Sequence, residues 1–121
     1  MKVKIDTKEK MHVITIEEEE LTANMTEQLI KQVKPFLNSA VQNVILVFSN
    51  VKKIDSDSLE LLFSSQQSFY KKGHSLVFCA FQSTVENILR QCSFADKMNI
   101  TPTESEAWDI VQMEEIEREL S

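Results

Sequence analysis

The residues of this chain with the most chemistry to offer are few. Ser56 stands between Asp55 and Asp57 with Ser58 one step on, and the nitrogen and sulfur ligands are His12, His74, Cys79 and Cys92. A serine nucleophile needs oxyanion donors beside it, and two flanking carboxylates repel the charge that would develop there. The usual nucleophile elbow also places glycine on both sides of its serine. This chain has one glycine in 121 residues, Gly73, so it cannot build a phosphate-cradling loop either, since that needs several glycines close together. The histidines and cysteines show no CxxC, HxxxH or HExxH spacing, so no metal site is expected. The residues thus point away from an enzyme and call for no cofactor. On their own, Ser56 or the pair Asp57 and Glu60 read as the cap of a helix.

The elements that position these residues follow from the apolar pattern. Val3 and Ile5, then Val13, Ile14 and Ile16, fall in short β-branched runs and read as two strands. Asn24 with Glu27 has the form of a capping box, and Met25, Leu29, Val33 and Leu37 continue it as one helical stripe until Pro35 ends or kinks the helix. Val44 to Phe48 is unbroken apolar, as a strand covered on both faces should be. Leu59, Leu62, Phe63, Gln66, Phe69 and Tyr70 mark a second helix that stops at Lys71-Lys72-Gly73, basic residues and then a left-handed cap. On this stripe Leu61 is expected to point away from the core towards solvent. Ser75 to Ala80 is a further buried strand, Ser83 with Glu86 opens a third helix, and a strand near Met98 to Thr101 precedes a last helix begun by Thr103 and Glu106. Cys79 and Cys92 read as buried, reduced thiols, Met25 as core and Trp108 as a partly buried helix residue.

The order β-β-α-β-α-β-α-β-α predicts an α/β fold with a mixed, mostly parallel sheet of about five strands and about four helices, spanning residues 1–121 as one domain. With 13 Lys and Arg against 19 Asp and Glu, the net charge of -6 argues against nucleic acid as a partner. The N-terminus carries no apolar run of signal length and no stretch long enough to cross a bilayer, so a cytoplasmic location without membrane insertion is expected. Ser56 then falls just after the most buried strand, at the C-terminal edge of the sheet, where open α/β folds usually place function.

The run from Val44 to Ser49, then Asn50-Val51-Lys52-Lys53-Ile54-Asp55-Ser56 with Leu59 and Leu62, resembles the centre of the STAS domain family. That family's best-known members are bacterial anti-sigma factor antagonists, in which an apolar strand leads through a hydrophobic-Asp-Ser-Ser/Thr-Gly-Leu loop into a helix. The likeness continues through Lys72 to Phe78 and through Ile100 to Ala107. Asp57 and Ser58 stand where the family pattern has Ser or Thr and then Gly. The resemblance implies a binding module whose phosphorylation site is Ser56, with Ser58 the second candidate. Its partner face would comprise Asp55, Ser56, Asp57, Ser58 and Leu61. An anti-sigma factor with serine-kinase activity would bind the unmodified form, and a PP2C-type phosphatase would reset it. The alternative it implies is a STAS subunit docked permanently on an ABC-type lipid-transport ATPase, without phosphorylation.

Overall fold

The computed structural model describes residues 1–121. Strands β1 (Val3–Thr7), β2 (Met11–Ile16), β4 (Asn43–Val47), β6 (Leu76–Cys79) and β7 (Ile100–Thr101) form one sheet in the order β1-β2-β4-β6-β7. β1 and β2 pair antiparallel, and every other pair in that sheet is parallel. Two residues each from β3 (Glu20–Leu21) and β5 (Lys53–Ile54) form a separate parallel ribbon. The helices are α1 (Ala23–Val33), α2 (Ser56–Lys71), α3 (Ser83–Leu89) and α4 (Glu104–Leu120). The mixed α/β architecture read from the sequence is the one observed.

The central strands are covered on both faces, so their apolar side chains divide between two cores. Leu46, Phe48, Leu76 and Phe78 join the larger core beneath α1, α2 and α3, while Ile45, Val47, Val77 and Cys79 join a smaller one beneath α4. All five residues of β4 are buried. Within the larger core Leu59 and Leu62 of α2 are fully buried, each contributing on the order of 2 kcal/mol by leaving water. Gln66, the polar member of that stripe, is buried without penalty to its amide. Its Nε2 donates to the Lys97 carbonyl at 2.9 Å and its Oε1 accepts from the Asn99 N–H at 2.7 Å.

Helix ends follow local chemistry where it is strong. Gly73 has φ +77°, its N–H donates to the Tyr70 carbonyl at 3.0 Å, and the His74 N–H reaches the Phe69 carbonyl at 3.0 Å. That paired arrangement is a Schellman cap, which accounts for the one glycine. Pro35 ends α1 at Val33, after which Lys34–Asn38 continues as a 3₁₀ turn. Thr103 caps α4 as expected, accepting from the Glu106 N–H at 3.2 Å. Two predicted caps are corrected. α1 is capped by Thr22, not by Asn24, because the β3–β5 pairing keeps the chain extended to Leu21 and releases it one residue later. Gln82, not Ser83, occupies the N-cap position of α3, and its amide donates to the Ser49 carbonyl instead of capping.

The ligand-type side chains are occupied structurally. His12 lies in β2, stacked on Phe36 with ring centroids 4.0 Å apart. Its Nε2 lies 2.9 Å from the Val41 carbonyl, which can only accept, so Nε2 carries the hydrogen and Nδ1 accepts from the Thr7 hydroxyl at 2.8 Å. Both cysteines are free, Cys79 buried and Cys92 half-buried. Burial, aided by Glu104, pushes the Cys79 thiol up to about 12. No three His, Cys, Asp or Glu side chains gather as a metal site.

Candidate functional site

The site is built where two helices begin side by side. The β3–β5 ribbon is reinforced by the Lys52 and Lys53 N–H groups, which donate to the Glu19 carbonyl at 2.7 and 3.1 Å. Because β3 leads straight into α1 and β5 straight into α2, this pairing sets Thr22 and Asp55 next to each other. Thr22 Oγ1 accepts from the Met25 N–H at 3.3 Å, capping α1. Asp55 is the cap of α2, where its Oδ1 accepts from the Ser58 N–H at 2.8 Å. Its other oxygen accepts from the Ala23 N–H of α1 at 3.2 Å.

One carboxylate therefore sits between the N-termini of both helices, where their unpaired N–H groups and dipoles favour negative charge. Burial works against ionising Asp55, but the hydrogen bonds from Ser58 and Ala23 outweigh it and hold the carboxyl below its ordinary value. The expectation that Asp57 with Glu60, or Ser56, caps the helix is thus corrected. Asp55 is the only one of these residues with the extended backbone, φ -93° and ψ 161°, that a cap position requires.

Ser56, Asp57 and Ser58 fill the first turn of α2 and have different fates. Ser56 and Asp57 are exposed, and Ser56 takes no part in the hydrogen bonds that Asp55 and Ser58 make around it. Ser58 is fully buried, with its hydroxyl 2.9 Å from Thr26 Oγ1 of α1 and 3.4 Å from the Leu21 carbonyl. A kinase cannot reach it without opening the helix pair, and it offers a partner no surface. Its role is to let α1 and α2 approach. Leu61 is also relocated. It is half-buried and lines a cleft between α1 and α2 with Leu29 and Val33, since α2 packs against both the sheet and α1 and so needs a wider apolar face than one stripe.

Thr22 and Thr26 are the residues that sequence reasoning passed over. Thr22 is an ordinary cap type, overlooked because Asn24 and Glu27 make the better local pattern. Thr26 carries no local signal, since its burial depends on a helix about thirty residues away along the chain. Lys52 and Thr84 complete the rim. Lys52 Nζ is 3.3 Å from Glu19 Oε1, and the Thr84 hydroxyl donates to the Lys52 carbonyl at 2.8 Å, tying α3 to the loop before Ser56.

This arrangement gives an exposed, unpartnered hydroxyl at a helix start, flanked by carboxylates and held on a rigid base at the C-terminal edge of the sheet. The STAS domain family model matches residues 2–107, which takes in both strands of the ribbon and all of α2. The chain belongs to the STAS domain family. No curated protein sequence matches it at a significant level.

Solved STAS folds resemble it over most of its length. TM1081 of Thermotoga maritima, a candidate anti-sigma factor antagonist, is 24% identical with a TM-score of 0.75, covering 91% of this chain and 94% of its own. The unphosphorylated anti-sigma factor antagonist SpoIIAA, a Bacillus protein, is 20% identical with a TM-score of 0.71, covering 92% of this chain and 96% of its own. Murine Slc26a9, an anion transporter, is 17% identical with a TM-score of 0.70, and the match covers 85% of this chain but 18% of the transporter. At these identities the likeness establishes the fold, and the same STAS fold occurs in both regulators and transporters. No helix of this chain is long and apolar enough to cross a membrane.

Proposed function

We propose that this chain, 1–121 acting as one domain, is a cytoplasmic, non-enzymatic protein-binding module of the anti-sigma factor antagonist kind, switched by phosphorylation at Ser56. The observation that carries the reading is the contrast within one helical turn. Ser56 is exposed with a free hydroxyl, while Ser58 beside it is sealed between helices. SpoIIAA, which shares the fold, has been solved in both unphosphorylated and phosphorylated forms, with TM-scores of 0.71 and 0.64 to this chain. In this reading an anti-sigma factor with serine-kinase activity binds the unmodified face formed by Asp55, Ser56 and Asp57, and a PP2C-type phosphatase reverses the modification.

The physics of the switch is local. A phosphate adds about -1.5 to -2 charge at pH 7. At the first residue of α2 it meets the positive end of a helix dipole, so the fold tolerates it. Asp55 and Asp57 already hold negative charge there, so the new repulsion falls on whatever docks against this face. Affinity changes while the domain keeps its shape.

Incubation with a serine kinase of the anti-sigma class and ATP, followed by mass spectrometry, should place a single phosphate on Ser56 and none on Ser56→Ala. In binding titrations Ser56→Asp should bind the same partner at least tenfold more weakly than Ser56→Ala. Equal affinities would overturn the switch. They would leave the permanent-subunit reading on an ABC-type ATPase, without phosphorylation, as the alternative.

A further inference from the structure

The serines of α2 that face α1 do unlike things along the helix. Ser58 touches Thr26 across the interface at 2.9 Å. About two and three turns further on, Ser65 and Ser68 oppose Ile30, Val33 and Lys34, and there the short side chains do not span the gap. A cleft of about 200 Å³ opens between the helices, with Leu46 and Leu76 of the sheet among its deepest residues. Its walls are mainly hydrocarbon, including Leu29, Leu61 and Phe69. At its mouth stands Lys34, exposed and in none of the four ion pairs of a chain whose net charge is -6.

These features define a ligand class. An apolar cavity of about 150 Å³ stays dry and takes up benzene, so this cleft suits an alkyl chain of about six to eight carbons. Burying that chain displaces it from water, and the apolar walls leave no polar group unsatisfied. The single free cation at the mouth selects the sign of the head group. We propose that the α1–α2 cleft is a binding site for a medium-chain aliphatic carboxylate. The tail lies on Leu46 and Leu76, and the carboxylate sits between the Lys34 ammonium and the Ser65 hydroxyl. The site is separate from the Ser56 face and does not depend on how that face is read.

The test is a titration of methyl-labelled protein with octanoate, run beside 1-octanol and octylamine, each below its micellar range. Octanoate should produce saturable shifts confined to methyls that line the cleft, those of Leu29, Leu46, Leu61 and Leu76 among them. It should bind about two- to fivefold more tightly than octanol, the factor an exposed ion pair supplies, with octylamine weakest. Lys34→Gln should remove that factor and leave octanol binding unchanged. Ser65→Phe and, separately, Ser68→Phe should abolish saturation, each judged only if its amide spectrum shows a folded domain. Should neither fold, the methyl map and Lys34→Gln decide alone. Absence of saturable shifts would overturn the proposal, as would shifts spread to the exposed Met113 and Ile116, octylamine matching octanoate, or binding that survives in a folded filled variant.

Discussion

The two ends of the α1–α2 interface carry the same residue type to opposite effect. At the N-terminal end Ser58 is fully buried and bonded to Thr26, and Asp55 holds both helix starts. Further along, Ser65 and Ser68 line open space. A small side chain permits close approach but does not cause it. Approach is imposed here by the β3–β5 ribbon, which delivers both helices to one point, and where that constraint ends the serines leave a gap. The difference shows why the proposed switch and the proposed pocket can share a helix pair without sharing residues.

The comparison breaks most severely at Ser58. Ser58→Leu must force a branched side chain into a contact where the Thr26 and Ser58 oxygens are 2.9 Å apart. Overpacking of this kind costs about 1–3 kcal/mol, and the upper end is expected because a polar contact is lost as well. Urea unfolding at neutral pH measures it. Ser58→Ala, which keeps the helices close and removes only the hydroxyl, should cost about 1 kcal/mol. If Ser58→Leu were no worse than Ser58→Ala, the close approach would not be the feature that matters.

Asp55 comes next. Asp55→Ala removes acceptors from both Ala23 and Ser58 and should cost about 1–2 kcal/mol, a large value for a helix cap. The pH dependence has a definite sign. The folded carboxyl titrates below its ordinary value of 3.8, so the unfolded chain binds the proton more readily. Its contribution is fully present above the unfolded value and is lost as pH falls through the lowered, folded one. Asp55→Asn keeps a cap-forming side chain without that titration, so its stability should fall less steeply than wild type between about pH 5 and 2. Parallel acid limbs would remove Asp55 as the charge that joins the two helices.

How much of this was legible follows the range of the interactions. The unbroken run Val44 to Phe48 announced a strand buried on both faces, and Lys71-Lys72-Gly73 announced a helix end, because each signal lies within a few residues. Ser56 could be placed at the start of a helix by the same logic. The ribbon could not be read, since each of its strands is two residues long and pairs across more than thirty positions. The helix caps and the helix face that depend on it were therefore misplaced, by one or two residues or by a face. Thr22 caps in place of Asn24, Asp55 in place of Asp57 or Ser56, and Leu61 turns towards α1 where periodicity alone turned it to water.

The smallest predicted effect is the most discriminating, because it has the opposite sign. Ser65→Leu makes the same chemical change as Ser58→Leu, on the same helix and towards the same neighbour. The new side chain enters a cleft of about 200 Å³ without displacing anything. Leu also favours helix over Ser by a few tenths of a kcal/mol. Together with the added apolar burial, a gain of about 0.5–1 kcal/mol is expected, read as a higher urea midpoint with an unchanged slope. A loss would mean that α1 and α2 are packed as tightly at Ser65 as at Ser58. The tie at Asp55 would then extend along the whole interface, and the contrast between its two ends would disappear.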